Sequence, residues 1–144
     1  MRVVADTNTL VSGLLWQGTP RRVLDAARAG MLQMYTTADL LAELEEVLQR
    51  PKFMQRLALA GVTSHILVFG YAALARLIEP VEIPPVISAD PDDDAVLACA
   101  VAARAEMIVS GDSHLLDLKD YEGISIVTAA QLLNRITPEQ SADS

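Results

Sequence analysis

The sequence predicts one α/β domain whose mostly parallel sheet is covered by helices. Short, apolar, β-branched segments alternate with segments of helical periodicity, which is the pattern of a covered parallel sheet. The 144 residues, 51% of them hydrophobic, suffice for a single core. No internal repeat, low-complexity tract or long linker divides the chain. We therefore expect a single domain over residues 1–137 and a polar tail over residues 138–144.

The expected elements follow one another from the amino terminus. Thr19 followed by Pro20 favours a helix start, whereas Gly30 and Gly61 favour helix ends. The segment 81–87 contains prolines, so it is at best an edge strand. In order, we expect a strand at Arg2–Ala5, helical structure over 11–30, a strand at 31–36, a helix over 37–50, helices over 52–60 and 64–78, the extended segment 81–87, a helix over 90–104, strands at 107–110 and Ile124–Val127, and a helix over 129–135.

Composition excludes several classes of protein. The net charge of −8 argues against a nonspecific nucleic-acid coat protein, which is normally basic. The single cysteine, Cys99, permits no intrachain disulfide and fits a reducing compartment. No signal peptide is evident, and the longest apolar run, over 95–103, is far shorter than the ~20 residues that span a bilayer. We expect a cytoplasmic protein without a membrane segment.

Two acidic residues directly follow predicted strands. Asp6 comes after the first strand, and Asp112 comes after the strand at 107–110. Ligands of α/β sheets bind outside the carboxyl ends of the strands. Either acid alone serves equally well as a cap of the next turn or helix. Two acids at two strand ends favour a site.

The segment 90–94 reads Asp-Pro-Asp-Asp-Asp at the start of a helix that is apolar almost all round. Asp90 is the expected N-cap, and Asp92 and Asp93 are assigned to the favourable first turn of the helix dipole. Asp94 instead shares a helix face with apolar residues. These are Leu97, Ala98 and Val101. A carboxylate there is costly unless it is paired or binds metal, so Asp94 is the predicted site residue.

The helix over 37–50 offers a further acid. Glu46 falls opposite the apolar stripe, while Glu43 and Glu45 flank it, and periodicity does not choose between these two. Together with Asp6, Asp94 and Asp112, either one gives a set of hard oxygen ligands. Such a set suits Mg²⁺ or Mn²⁺.

Other chemistries have less support. The only candidate zinc ligands besides carboxylates are Cys99, His65 and His114, which are widely spaced, and His114 is interpreted as a turn residue. No Gly-x-Gly-x-x-Gly or Walker loop is present. A phosphatase or phosphotransfer domain is an alternative. However, Asn8 occupies the place of the second acid that a phosphatase needs, and Lys119 is poorly placed for a receiver domain.

Four segments of the chain resemble the motifs of the PIN-domain family, particularly bacterial members described as toxins of toxin–antitoxin pairs. The resemblance runs from Met1 to about Arg135. The four segments read Val-Val-Ala-Asp-Thr-Asn-Thr-Leu-Val-Ser-Gly-Leu, Leu-Leu-Ala-Glu-Leu, Asp-Pro-Asp-Asp-Asp-Ala-Val-Leu-Ala and Val-Ser-Gly-Asp. Their acids are Asp6, Glu43, Asp94 and Asp112, so the resemblance selects Glu43. It also assigns supporting roles to Asn8, Ser12 and Ser110, the last where threonine is frequent.

The resemblance implies a three-layer α/β/α sandwich with a mostly parallel central sheet. It implies endonucleolytic cleavage of RNA that depends on Mg²⁺ or Mn²⁺ held by the four acids, with Asp94 or Asp112 orienting the attacking water. It further implies a homodimer or higher homo-oligomer and an antitoxin protein as partner. A non-catalytic binding module of the same fold is the alternative. We expect basic side chains to contact the RNA backbone, with these candidates: Arg21, Arg22, Arg50, Lys52 and Arg56.

Overall fold

The computed structural model of the chain describes residues 1–86 and 91–136. The predicted N-cap Asp90 and the predicted polar tail, residues 138–144, lie outside the described residues.

The described residues form helices and strands that alternate along most of the chain. The strands are β1 (Arg2–Ala5), β2 (Gln33–Thr36), β3 (Arg76–Leu77), β4 (Met107–Val109), β5 (Asp120–Tyr121) and β6 (Ile124–Val127). The helices are α1 (Thr7–Leu15), α2 (Thr19–Arg28), α3 (Ala38–Leu48), α4 (Pro51–Ala60), α5 (Ser64–Leu74), α6 (Pro91–Ala103), α7 (Ser113–Leu118) and α8 (Ala129–Ile136).

The strands form one sheet in the order β3-β2-β1-β4-β6-β5. All neighbouring strands are parallel except β5, which is antiparallel to β6. The predicted mostly parallel sheet is therefore confirmed. Because β1 lies between β2 and β4, the carboxyl ends of these three strands meet at one edge of the sheet.

Helices cover both faces of the sheet and make three layers. Successive residues of a strand point to opposite faces. Val3 and Ala5 accordingly pack into a hydrophobic cluster with residues of α1, α2, α3 and α8, whereas Val4 packs into a second cluster with residues of α6. The α/β/α sandwich is confirmed, and its two cores hold the sheet edge in place.

Local sequence accounts for most helix ends. The Thr37 hydroxyl caps α3 by accepting a hydrogen bond from the amide of Leu40 at 3.2 Å. Gly61 ends α4 in the left-handed region, at φ 68°, which a glycine adopts without strain. The predicted start of α2 is shifted by one residue. Gly18 is the N-cap, and Thr19 and Pro20 are the first two helical residues.

The extended segment 81–87, expected to be at best an edge strand, forms no strand over its described residues 81–86. The strand at this edge of the sheet, next to β2, is β3 at Arg76–Leu77. The apolar pattern had extended the preceding helix to residue 78, but the chain leaves the helix after Leu74 to pair with β2. The amide of Ile78 also donates to the carbonyl of Thr36, at 3.0 Å. Two short elements, α7 and β5, were not predicted.

Among the described helices, none alone is long and apolar enough to cross a membrane. Helices α4 and α5 meet that requirement only as a pair, and the chain bends by 79° between them.

Candidate metal centre

A cavity of about 160 Å³ lies at the carboxyl edge of the sheet, and five acidic residues line it. These acids come from four parts of the chain: Asp6 after β1, Glu43 on α3, Asp92 and Asp93 on α6, and Asp112 after β4. The other lining residues are Thr7, Asn8, Val47, Arg50 and Val96. The structure thus brings together three of the four predicted acids.

Asp6 is held in the cavity by hydrogen bonds from two elements. It is 4% exposed and is the N-cap of α1, where Oδ1 accepts a hydrogen bond from the amide of Thr9 at 2.9 Å. Oδ2 accepts a hydrogen bond from the hydroxyl of Ser110. The Asp6 amide continues the sheet by donating to the carbonyl of Val109 at 3.1 Å. The capping role and the site role of Asp6 are therefore compatible, because the cap fixes the carboxylate at the cavity.

Glu43 reaches the cavity from α3. The hydroxyl of Thr7, the first residue of α1, donates to Oε1 of Glu43. Glu45, the alternative that helical periodicity left open, instead lies 3.7 Å from Nδ1 of His65 and does not line the cavity. The structure therefore selects Glu43, as the resemblance did.

Asp112 follows β4 and is the N-cap of α7. Its Oδ1 accepts a hydrogen bond from the amide of His114 at 2.7 Å, and its own amide donates to Oγ of Ser110 at 2.9 Å. Ser110 is 1% exposed and bonds to both Asp6 and Asp112. The Ser110 hydroxyl donates to the carboxylate of Asp6 and accepts from the backbone amide of Asp112. The side chain at position 110 must therefore both donate and accept, as a hydroxyl does.

The third motif supplies Asp93 to the cavity in place of the predicted Asp94. Asp93 is 7% exposed and lines the cavity, whereas Asp94 does not line it and its Oδ2 accepts a hydrogen bond from the amide of Val86 at 3.2 Å. Asp93 lies three, four and seven residues before the buried residues Val96, Leu97 and Ala100. Because α6 is apolar almost all round, periodicity alone could not separate two adjacent positions.

A second, larger cavity of about 620 Å³ adjoins the first, and the two share Asn8 and Asp112. Ser12 lines only the larger cavity, together with the first residues of α2, α7 and α8. The predicted supporting residues thus occupy three different places. Ser110 bonds to Asp6, Asn8 lies where the cavities meet, and Ser12 faces the neighbouring space.

Of the predicted RNA-contacting cations, Arg50 lines the acidic cavity. Its guanidinium group also lies 3.2 Å from Glu46, one turn earlier. Lys52 is exposed, with Nζ 5.0 Å from the centre of the Phe53 ring, and does not line the cavity. Arg22 lines a separate cavity between α2 and α8.

Arg21 and Arg56, also predicted to contact RNA, both complete the end of α1. Arg21 donates to the carbonyls of Gly13, at 2.5 Å, and Leu14, at 3.0 Å. Arg56 donates to the carbonyl of Leu15 at 2.8 Å. The last carbonyls of a helix have no partner within the helix, so these arginines satisfy them.

The donor set fits a divalent cation. Carboxylate oxygens are the ligands that Mg²⁺ and Mn²⁺ prefer, and close acids without a cation repel one another. Among the described residues, Asp93, Asp112 and His114 each offer a ligand atom, and these three atoms lie within 4.8 Å of one another. Sequence reasoning missed two of the three. The spacing of His114, two residues after an acid that caps a helix, is the signal that could have found it.

Comparison with known proteins gives an independent finding. The family model described as PIN domain matches residues 2–114, which is more than half of the chain and includes every acid of the cavity. None of the curated proteins compared with the chain matches it.

Proposed function

This chain belongs to the PIN-domain family, whose members are generally nucleases, and we propose that it is an endoribonuclease that depends on Mg²⁺ or Mn²⁺. The observation that carries the proposal is the convergence of Asp6, Glu43, Asp93 and Asp112 on one cavity. A protein that used the fold only as a scaffold would gain nothing from four carboxylates that repel one another.

In this proposal Asp6, Glu43, Asp93 and Asp112 hold the cation. A divalent cation supplies Lewis-acid chemistry there, because it lowers the pKa of water and offsets the charge that builds on the scissile phosphate. The protein contributes a rigid donor set. Asp6 is fixed by two hydrogen bonds, and Glu43 is fixed by the Thr7 hydroxyl. Rigid donors are what a catalytic constellation needs, since small displacements of the reacting groups lower the rate.

Asp112 is the carboxylate that we propose to orient the attacking water. A quarter of its side chain is exposed, so water reaches it, and the cap of α7 holds its position. Asp6 and Asp93 are more deeply buried, which suits residues that only bind the cation.

The RNA strand is proposed to run from the acidic cavity into the larger one. Asn8 and Asp112 line both cavities, so a nucleotide next to the scissile phosphate has space beside the site. The larger cavity is lined by the amino-terminal residues of α2 and α8, and helix amino termini favour phosphate groups. Arg50 supplies a cation that lines the acidic cavity.

The decisive experiment uses a circular RNA, a linear RNA and a DNA of the same sequence. Each is incubated with the protein in Mg²⁺, in Mn²⁺ and in EDTA, with Asp93→Asn and Asp94→Asn as variants. We expect the circular RNA to be opened in both metals and not in EDTA. We also expect Asp93→Asn to lower cleavage by about 100-fold or more, because it removes a buried ligand of the cation.

The other outcomes are equally informative. Cleavage that persists in EDTA would contradict the metal dependence, and cleavage of linear but not circular RNA would contradict endonucleolytic action. An Asp94→Asn variant as inactive as Asp93→Asn would contradict the assignment of the site. Absence of cleavage in every reaction would favour the non-catalytic binding module.

The proposed biological role is that of a toxin in a toxin–antitoxin pair, acting in the cytoplasm, and it rests on the motif resemblance. Expression of the wild type in a bacterial host should then arrest growth, while Asp93→Asn should not. Co-expression of a protein encoded beside it should relieve the arrest. Unimpaired growth with abundant, nuclease-active wild type would contradict the toxin role.

A further inference from the structure

His114 lies at the rim of the acidic cavity, beside two of its acids. Its Nδ1 atom is 3.5 Å from Oδ1 of Asp112. One ligand atom from each of His114, Asp112 and Asp93 falls within a group of mutual distances no greater than 4.8 Å. Two ligands that share one cation, each about 2.2 Å from it, are at most about 4.4 Å apart. Small side-chain rotations therefore bring the three atoms into range of one ion.

The backbone holds this arrangement in place. Asp112 caps α7, and its Oδ1 accepts a hydrogen bond from the amide of His114 at 2.7 Å. The cap therefore fixes the backbone of His114 beside the carboxylate, and rotation of the side chain alone is enough to adjust the imidazole. About half of the His114 side chain is exposed, whereas Asp93 on α6 is buried. The group thus combines a solvent-facing nitrogen with an inner oxygen, which gives a hydrated ion a path of entry.

A hydrogen bond or an ion pair between His114 and Asp112 alone explains the arrangement less well than a shared cation does. A separation of 3.5 Å is long for a hydrogen bond from a ring nitrogen, and the pair is an ion pair only when the imidazole is protonated. An imidazole beside two carboxylates is a metal-ligand set with mixed nitrogen and oxygen donors. The same distance is compatible with two ligand atoms that share one cation.

We propose that His114 is a metal ligand, and that with Asp93 and Asp112 it makes this end of the cavity selective for first-row transition ions over Mg²⁺. This inference rests on the proposed metal-dependent function. Mg²⁺ binds oxygen ligands almost exclusively, whereas imidazole nitrogen binds transition ions, with affinity that rises from Mn²⁺ to Co²⁺. His114 should therefore add to the binding of Mn²⁺ and Co²⁺ and contribute nothing to the binding of Mg²⁺.

The chain offers a matched control in His65. Its Nδ1 lies 3.7 Å from Oε1 of Glu45, which resembles the His114–Asp112 geometry, but the pair is not part of the three-residue group. Both histidines are exposed, so neither substitution should disturb the core. Two variants of each, His→Ala and His→Gln, separate loss of the imidazole from loss of a polar side chain.

The experiment titrates Mn²⁺, Co²⁺ and Mg²⁺ into the wild type and these variants by calorimetry, at about pH 8, where a free imidazole is neutral. We expect His114→Ala and His114→Gln to weaken Mn²⁺ binding by about 10-fold and Co²⁺ binding by more, while Mg²⁺ binding changes less than about 2-fold. The His65 variants should match the wild type. The visible absorption of bound Co²⁺ should shift in the His114 variants only, because a nitrogen ligand is lost.

Two results would overturn the inference in different ways. If the wild type binds the metals but the His114 variants bind all three as the wild type does, or lose all three equally, His114 is not a selective ligand while the proposed function stands. If the wild type binds none of the metals, both the proposed function and this inference fail.

Discussion

Two regions of the molecule place their side chains unusually. These are the carboxyl edge of the sheet, which buries charge, and the α4–α5 arm, defined as residues 51–74, which exposes apolar side chains. At the edge, charge is buried, as Asp6 and Asp93 show. On the arm, large apolar side chains are exposed, with Leu59 at 76% and Phe69 at 71%. Buried charge and exposed apolar surface are the two observations that ordinary folding does not explain.

Each region therefore indicates a different binding partner. Carboxylates gathered in one cavity repel one another unless a cation binds between them, and a large exposed apolar face indicates a surface that covers it. The exposed face of α5 consists of His65, Ile66, Phe69, Gly70 and Ala73. It carries no acid that would pair with a basic partner, and the small residues permit another helix to approach closely. We therefore predict that a second copy of the chain covers the arm, which would give the homodimer that the motif resemblance implies.

The largest effect should come from removing charge at the edge. We expect Asp6→Asn to lower RNA cleavage by about 100-fold or more, because an amide is a far weaker cation ligand than a carboxylate. Steady-state cleavage assays measure the loss, and circular dichroism checks the fold. The control is Asp25→Asn, which alters an exposed acid that pairs with Arg28. An equal loss of RNA cleavage in both variants would show that the carboxyl edge does not hold the active site.

A smaller effect should follow from adding polarity to the arm. We expect Phe69→Ser to weaken self-association by about 10-fold or more, because it removes a large aromatic contact from an apolar interface. Analytical ultracentrifugation over a concentration series measures the dissociation constant. Met31→Ser is the matched control, since Met31 is also exposed but lies away from the arm. A wild type that stays monomeric would contradict the prediction and indicate a different protein as the occupant.

Arg50 lies between α3 and α4 and lines the acidic cavity, so it is next to both regions. Replacing it tests whether the two regions act together on RNA. We expect Arg50→Ala to weaken RNA binding about 3- to 10-fold and to reduce its salt dependence, since one phosphate contact is lost. Filter binding over a range of salt concentrations measures both. Lys52→Ala, which changes an exposed cation outside the cavity, should have a smaller effect, and the reverse order would place the RNA elsewhere.

The smallest effect concerns the pH dependence of stability, which involves two buried side chains of the core. Tyr71 lies on the buried side of α5, and Cys99 lies on α6, the helix that carries Asp93. Burial raises the pKa of the Cys99 thiol from 9.0 to about 12. Burial and the neighbouring Cys99 raise the pKa of the Tyr71 hydroxyl as well. Both groups therefore stay neutral in the folded chain under conditions where the unfolded chain ionises.

Above about pH 9 the unfolded state loses the Cys99 proton while the folded state keeps it, so the free energy of unfolding falls as pH rises. We expect this fall, by up to about 1.4 kcal/mol per pH unit until about pH 12, to be shallower in Cys99→Ala. Urea unfolding from about pH 8 to 11 measures the two slopes. Identical slopes would show that the thiol is not protected by the fold.

The sequence predicted the layers of the fold because alternation of strands and helices depends on local patterning. It also predicted Asp6 and Asp112, since an acid directly after a buried strand must lie at the carboxyl edge. The segment 64–78 shows the limit. Its apolar pattern is helical throughout, yet Arg76 and Leu77 near its end pair with β2, 41 residues earlier in the chain.

The choice between Asp93 and Asp94 shows the same limit at the site. Both are one turn from apolar residues of α6, and only the packing of α6 against the sheet decides which one faces the cavity. The fate of Arg21 also depended on tertiary structure, because its role at the end of α1 requires α2 to pack beside it. Residue type and spacing thus predicted the kind of site, while helix packing decided which neighbouring residue belongs to it.

The most direct test of the central claim is a calorimetric titration of Mn²⁺ into the wild type, Asp93→Asn and Asp94→Asn. The two variants make the same chemical change at adjacent residues, so a difference between them reports position alone. We predict that the wild type and Asp94→Asn bind Mn²⁺ with similar affinity, and that Asp93→Asn binds it at least about 10-fold more weakly. Equal affinity in all three proteins, or loss in Asp94→Asn alone, would contradict the assignment of the cavity as the metal centre.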